Sequence, residues 1–150
     1  MSSPPAPLYL LDTGVVAALS WGGELADRID KRTGIRASPV RPLVSIVTHG
    51  EVRTFVRGRK WGAEAEGKAI ASLDSLVTVG IDDPLILDGY AELKLFAKSN
   101  GRAIGDNDLW IAATARVGRA ILLTTDKDFD PLHDARLVER ICFDRKPNAS

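Results

Sequence analysis

Gly105-Asp106-Asn107-Asp108-Leu109-Trp110-Ile111-Ala112-Ala113-Thr114-Ala115 is the stretch on which the interpretation of this chain turns. A glycine and three short polar side chains run directly into a helical pattern, the form of a helix N-terminus. Asp108, Ala112 and Ala115 fall at i, i+4 and i+7 and share one face. Small residues behind a carboxylate let that face press closely on a neighbour while the acid stands at one end. Asp and Asn are also preferred N-caps and suit the positive end of the helix macrodipole, so capping is the plainer explanation for this stretch alone. The balance changes only if other acids reach the same place.

Working outward, Pro84 suits a first helical turn and opens a helix to about Ser99, which Asn100-Gly101 ends. On the other side the helix runs to Val117 with Gly118 as C-cap, and Ala120 to Leu123 reads as a strand ending at Thr124-Thr125-Asp126. Nearer the start, the apolar run Leu8 to Leu11 stops at Asp12 and reads as a buried strand. Helices over Thr13 to Trp21 and on to about Arg32 follow, then a loop from Thr33 to Pro42. Leu43 to Val47 is the second strand, and Thr48 opens a helix to about Arg57. Gly58 to Gly62 breaks the pattern, Ala63 to Leu76 resumes it, Val77 to Val79 is a third strand, and the last strand lies within Val138 to Phe143. Strands alternating with helices predict an α/β fold, a three-layer sandwich with a mainly parallel sheet covered on both faces. Ligands of such sheets bind beyond the carboxyl ends of the strands.

A chain of 150 residues makes one domain. Its expected span is 8–145, between a disordered tail at 1–7 and a short tail at 146–150. The single cysteine, Cys142, sits in an apolar run as a small buried hydrophobe. With only His49 and His133 besides, neither a disulfide framework nor a Cys/His zinc centre can be assembled, which fits a reducing cytoplasmic setting. A formal net charge of +0 excludes nucleic-acid binding through bulk charge and leaves only a local basic face. No apolar run approaches the ~20 residues that span a bilayer. The Ser/Pro-rich start lacks the basic and apolar regions of a signal peptide.

Four acids now converge. Asp12 ends the first strand, Glu51 lies just past the second, Asp126 follows the fourth, and Asp108 begins the helix before it. Each has a structural explanation when taken singly. Asp12 can cap the following helix, Thr48 to Glu51 matches a capping box, and Asp126 suits a turn. Together they repel: two carboxylates ~5 Å apart at an effective dielectric of ~20 cost about 3 kcal/mol. Such a cluster binds protons or a cation, and oxygen ligands alone point to a hard divalent ion, Mg²⁺ or Mn²⁺.

The segments Tyr-Leu-Leu-Asp12-Thr, Val-Thr-His-Gly-Glu51-Val, Asn-Asp108-Leu-Trp-Ile-Ala-Ala-Thr-Ala and Leu-Thr-Thr-Asp126-Lys-Asp-Phe resemble the four acidic motifs of the PIN-domain ribonucleases. The resemblance is strongest to the VapC-type toxins of bacterial toxin–antitoxin pairs and covers nearly the whole chain after the first residues. It implies a PIN-like fold, a Mg²⁺ pocket of Asp12, Glu51, Asp108 and Asp126, a hydroxyl from Thr124 or Thr125, a homodimer and a VapB-like antitoxin partner. Asp106 and Asp128 each stand two residues from a motif acid and are candidates to substitute or assist. Gly50, where many relatives carry a larger residue, would loosen its helix start.

Such a pocket supports metal-dependent hydrolysis of an RNA phosphodiester. The substrate's phosphates need further cations. Arg53 and Arg57 form an i, i+4 pair on the helix of Glu51, with Arg59 and Lys60 at its end, and this cluster is a candidate RNA contact against the alternative of a solvated helix face. Trp61 suits an aromatic covering the core edge more than a base-stacking platform. The helix from Pro84 to Ser99 is apolar over more of its circumference than one core needs, which predicts a homodimer. Asp12-Thr13-Gly14 also matches the aspartic-protease triplet, but those proteins are β-rich. A haloacid-dehalogenase-like phosphatase would want a second aspartate where Gly14 stands. A non-catalytic module that binds RNA or an antitoxin is the remaining alternative, against which the presence of all four acids counts.

Overall fold

Five short strands form the centre of the computed structural model: β1 (Tyr9–Leu11), β2 (Leu43–Ser45), β3 (Val77–Val79), β4 (Ile121–Thr124) and β5 (Arg140–Cys142). All neighbours pair in parallel, in the order β3-β2-β1-β4-β5. Among the described residues seven α-helices connect and cover them: α1 (Thr13–Trp21), α2 (Glu24–Thr33), α3 (Ile46–Gly58), α4 (Gly62–Asp74), α5 (Pro84–Ser99), α6 (Asp106–Gly118) and α7 (Asp130–Asp134). The structure describes residues 4–146, so residues 1–3 and 147–150 of the two expected tails lie outside the described residues.

Strand periodicity produces the layers. Leu10 and Leu122 face a core shared with Ile86, Leu93, Leu109 and Leu132 of α5, α6 and α7. Their sequence neighbours Leu11 and Leu123 point the other way, to Val15, Val16, Ile29 and Leu73 of α1, α2 and α4. With both faces covered, each fully buried leucine contributes about 1.5–3 kcal/mol. The expected three-layer sandwich is therefore present. α6 is its most enclosed helix: Leu109, Ile111, Ala112, Ala113 and Ala115 are all solvent-inaccessible. Its alanines admit α5 so closely that a Cβ at Gly89 would lie 3.6 Å from that of Ala113.

The strand order reverses between β1 and β4, because the chain builds outward to β3 and then returns to the far side of β1. At such a switch point the loops after the two central strands part and leave a crevice at their carboxyl ends. Asp12 follows β1 and Asp126 follows β4.

Several local expectations are corrected. β2 ends at Ser45 rather than Val47, and Ser45, not Thr48, caps α3 by accepting from Val47 N at 3.1 Å. A buried serine in extended backbone supplies the capping oxygen three residues early, so the helix is already formed at Gly50 and is not loosened by it. The left-handed residue closing α6 is Arg119 (φ 51°), one beyond Gly118, and the Ala120 N–H returns to Ala115 O at 2.9 Å. Cys142 is half-buried, since β5 is an edge strand with one flank open. Five-residue α7, with Pro131 in its first turn, was unexpected.

Candidate metal centre

Asp12 leaves β1 with its N–H still paired to Leu123 O, so the strand ladder fixes where its side chain begins. Oδ1 accepts from Thr13 N at 2.8 Å and Oδ2 from Thr124 Oγ1 at 2.7 Å. The expected cap on α1 is thus real, but it occupies only one oxygen. Thr124, fully buried at the end of β4, also accepts from Asp126 N at 2.9 Å and so links the two central strand ends. Asp126 in turn accepts from Asp128 N at 2.9 Å, the turn role expected of it. Glu51 reaches the crevice from α3 and accepts from Thr13 Oγ1 at 2.8 Å, while Thr48 Oγ1 lies 3.2 Å from the same hydroxyl.

Capping does not explain Asp108. The residue at the cap of α6 is Gly105, and no side chain bonds the free N–H groups there. Asp108 instead turns into the crevice, where carboxylate oxygens of Asp108, Asp126 and Asp128 lie within 4.8 Å of one another. Burial first, then the charges of Asp12, Asp126, Glu51 and Asp128, push the Asp108 pKa up to about 7. Burial also raises that of Asp12, against the bonds from Thr124 and Thr13 and with the help of Glu51 and Asp126. The four acids singled out from the sequence are therefore brought together, with Asp128 as a fifth.

Asp106 is not brought in. Its Oδ1 accepts from Lys94 Nζ and Tyr90 Oη of α5, both at 2.7 Å, and these bonds hold its carboxyl below the usual range. Tyr90 also stacks on Trp110 at a ring separation of 3.8 Å, so Trp110 is packed as expected. Thr125 lines the crevice, whereas Thr124 acts from beneath it.

The crevice opens into a cavity of about 590 Å³. Its lining includes both the acids Asp12, Glu51, Asp108 and Asp126 and the rings of Trp21, Phe55 and Trp61. Those rings meet at centroid separations of 5.3–6.1 Å, yet Trp21 remains 64% exposed and Trp61 44%. Trp61 thus edges a cavity rather than covering core. Of the basic cluster on α3, Arg53 bonds the carbonyl of His49 and Arg57 pairs with Glu66 at 2.6 Å. Arg59 lies over the Phe55 ring at 4.4 Å, and Lys60 takes a left-handed backbone (φ 55°) at the turn after α3. His49 is occupied with Thr78 Oγ1 at 2.8 Å and stands apart from the acids' bonds.

Residues 9–133 match the model of the PIN domain. The chain belongs to the PIN-domain family. Ribonuclease VapC5 of Mycobacterium tuberculosis is 31% identical over 144 residues, 94% of this chain and 98% of that protein. Ribonuclease VapC1 of Haemophilus influenzae is 30% identical over 132 residues, 85% of this chain and 93% of that one. Among solved structures, VapBC-5 of M. tuberculosis, a member of the VapBC family of toxin–antitoxin systems, superposes with a TM-score of 0.66 at 28% identity, covering 93% of this chain and 100% of the matched one. In this PIN domain sequence reasoning missed Thr13, which donates to Glu51, and Thr48, which meets the same Thr13 hydroxyl. Thr13 is adjacent to Asp12, and Thr48 is one helical turn before Glu51; those positions were the available signal.

Proposed function

We propose that this PIN domain is a divalent-metal-dependent endoribonuclease, the toxin member of a VapBC-type pair, using Mg²⁺ or, in its place, Mn²⁺. The observation that carries the proposal is the gathering of Asp12, Glu51, Asp108, Asp126 and Asp128 at one sheet edge, with Asp108 pushed up to about 7. Oxygen-only donors suit a hard ion, and a carboxyl destabilised by its like-charged neighbours is one that a cation would relieve.

Asp12, Glu51, Asp108 and Asp126 would hold the ion, with Asp128, whose carboxylate oxygen lies within 4.8 Å of those of Asp108 and Asp126, as a fifth donor. Once bound, the ion supplies acidity to an attacking water and offsets charge on the phosphoryl oxygens. The protein's own contribution is orientation. Thr124 and Thr13 lock both oxygens of Asp12, and Thr13 locks Glu51, so these carboxylates need no rearrangement when substrate arrives. A carboxylate of this group would accept the proton of the water as it attacks.

Exposed Arg59 and Lys60 support an RNA-facing role for the end of α3, and Arg53 and Arg57 belong to the same proposed contact. A second copy of the chain is the proposed occupant of the α5 face, where Leu85, Leu87 and Leu95 remain 45–63% exposed. Sedimentation as a monomer at micromolar concentration would remove that part. An antitoxin partner is supported by the toxin–antitoxin structure superposed above and by the aromatic side chains Trp21, Phe55 and Trp61 on the cavity lining, which suit a partner's hydrophobic side chains. No helix among the described residues is long and apolar enough to cross a membrane. The test of the core proposal is cleavage of end-labelled RNA by purified protein. It should require Mg²⁺, stop with EDTA and be lost in Asp12→Asn; cleavage that persists in EDTA would overturn it.

A further inference from the structure

Because β5 runs parallel to its neighbours, the chain leaving it emerges at the sheet edge that carries Asp12 and Asp126. Phe143, itself buried, extends the pairing by donating its N–H to Thr124 O at 2.8 Å. Asp144 is then held from α2, where Arg28 Nη2 donates to its carbonyl at 2.7 Å and lies 3.4 Å from Arg145 O. The next side chain, Arg145, lines the cavity together with Asp12, Glu51, Asp108 and Asp126. Its Nη2 rests over the first turn of α1, 3.6 Å from where a Cβ on Gly14 would stand. A side chain at Gly14 would also meet Thr125 Oγ1 at 2.6 Å, so the glycine keeps this approach open.

A guanidinium beside so many carboxylates would ordinarily be drawn into an ion pair. Among the described residues, Arg145 has no carboxylate oxygen within 4.0 Å. The other cation lining the cavity, Lys68, has Glu64 at 3.6 Å. Arg145 therefore brings a planar fork of donors to the wall of the acidic cavity and leaves the acids to their own ligand. The anion best matched to such a fork is a phosphate, which a guanidinium grips through two parallel bonds.

We infer that Arg145, held in place by Arg28, binds a backbone phosphate of the RNA strand beside the bond to be cut. This inference rests on the nuclease reading and names a cation that it did not include. Phosphate contacts set register and affinity without reading sequence, so the effect of removing this one is uniform across RNA sequences.

The test is fluorescence anisotropy of a short labelled single-stranded RNA, titrated over a range of salt in an Asp108→Asn background with EDTA present, so that the RNA is not cut. Arg145→Ala should weaken binding about tenfold and lower the slope of log affinity against log salt by about one. Arg145→Lys should restore the slope but not the full affinity, because an ammonium cannot make the paired bonds. In the cleaving background Arg145→Ala should raise KM more than it lowers kcat. Circular dichroism shows whether each variant is folded, and the lysine variant keeps the comparison available if the alanine variant is not. If the parent protein cleaves RNA with Mg²⁺ while affinity and slope are the same with and without the Arg145 guanidinium, this inference fails alone. If the parent neither binds nor cleaves RNA, the nuclease reading fails and takes the inference with it.

Discussion

Asp106 and Asp108 stand two residues apart in the first turn of α6, and the fold treats them oppositely. Asp106 faces α5, is exposed, and has a cation and a phenol within 2.7 Å, which stabilise its charge. Asp108 faces the strand ends and is half-buried, and its charge is destabilised first by that burial and then by four acids, Asp12, Asp126, Glu51 and Asp128. Both share the same helix dipole and lack a capping role. The difference between them is therefore one of direction: two residues along a helix is a rotation of about 200°, enough to exchange one set of neighbours for another. Structural acids are matched to cations; an acid set among acids is matched to something the protein does not itself supply.

Substituting each in turn is the strongest test of that contrast. Asp108→Asn should lower Mg²⁺-dependent RNA cleavage by about 10²–10³-fold, as the loss of a preorganised charge at a reacting centre typically does. Asp106→Asn should leave the rate within about threefold, since its bonds tie α5 to α6 at the surface. Single-turnover cleavage rates of the two variants decide it, and equal losses would erase the distinction.

How much of this was legible beforehand follows from the same geometry. A parallel sheet delivers whatever follows its central strands to one edge, so Asp12 and Asp126 could be placed from an alternating pattern alone. Asp108 could be placed as a helix start, but its two-residue neighbour could not be set aside, because the sequence does not show that Lys94 and Tyr90 lie across from it. Thr13 went unread because the bond that matters joins it to Glu51, across 38 positions. Arg145 went unread for a similar reason: only the parallel pairing of β5 beside β4 and the grip of Arg28 on the following carbonyl bring it to the cavity. The basic run on α3 was visible as charge, but its partners Glu66 and Phe55 were not.

Thr13 supports a second, smaller test. Thr13→Val keeps the shape and removes the hydroxyl that orients Glu51, leaving Asp12 its bonds from the Thr13 backbone and Thr124. Cleavage and Mg²⁺ affinity should each fall about tenfold, the lower end of what loss of a hydrogen bond behind a metal ligand costs. Thr13→Ser should recover both. A merely structural threonine would instead show a lower Tm with unchanged Mg²⁺ affinity, measured by isothermal titration.

The smallest effect is in stability, and its sign separates the two acids again. Asp108 has a higher pKa in the folded protein than the value near 3.9 of an unfolded chain. Between that value and about 7 the folded state holds the extra proton, so this contribution to stability is complete below about 4 and is lost as pH rises to about 7. A fully enclosed shift of this size would be worth about 4 kcal/mol; with Asp108 half open to water, on the order of 1–2 kcal/mol is expected. Asp106, with a lowered pKa, works in the opposite direction, adding stability above its unfolded value and losing it as pH falls. Metal-free protein should therefore lose urea resistance between pH 4 and pH 7, and Asp108→Asn should flatten that decline while Asp106→Asn does not. Adding Mg²⁺ at pH 7 should restore what was lost, because an ion replaces the proton as the partner of the acids. If Mg²⁺ stabilises Asp108→Asn as much as the parent, the acids that face each other across the strand ends are not the ion's ligands.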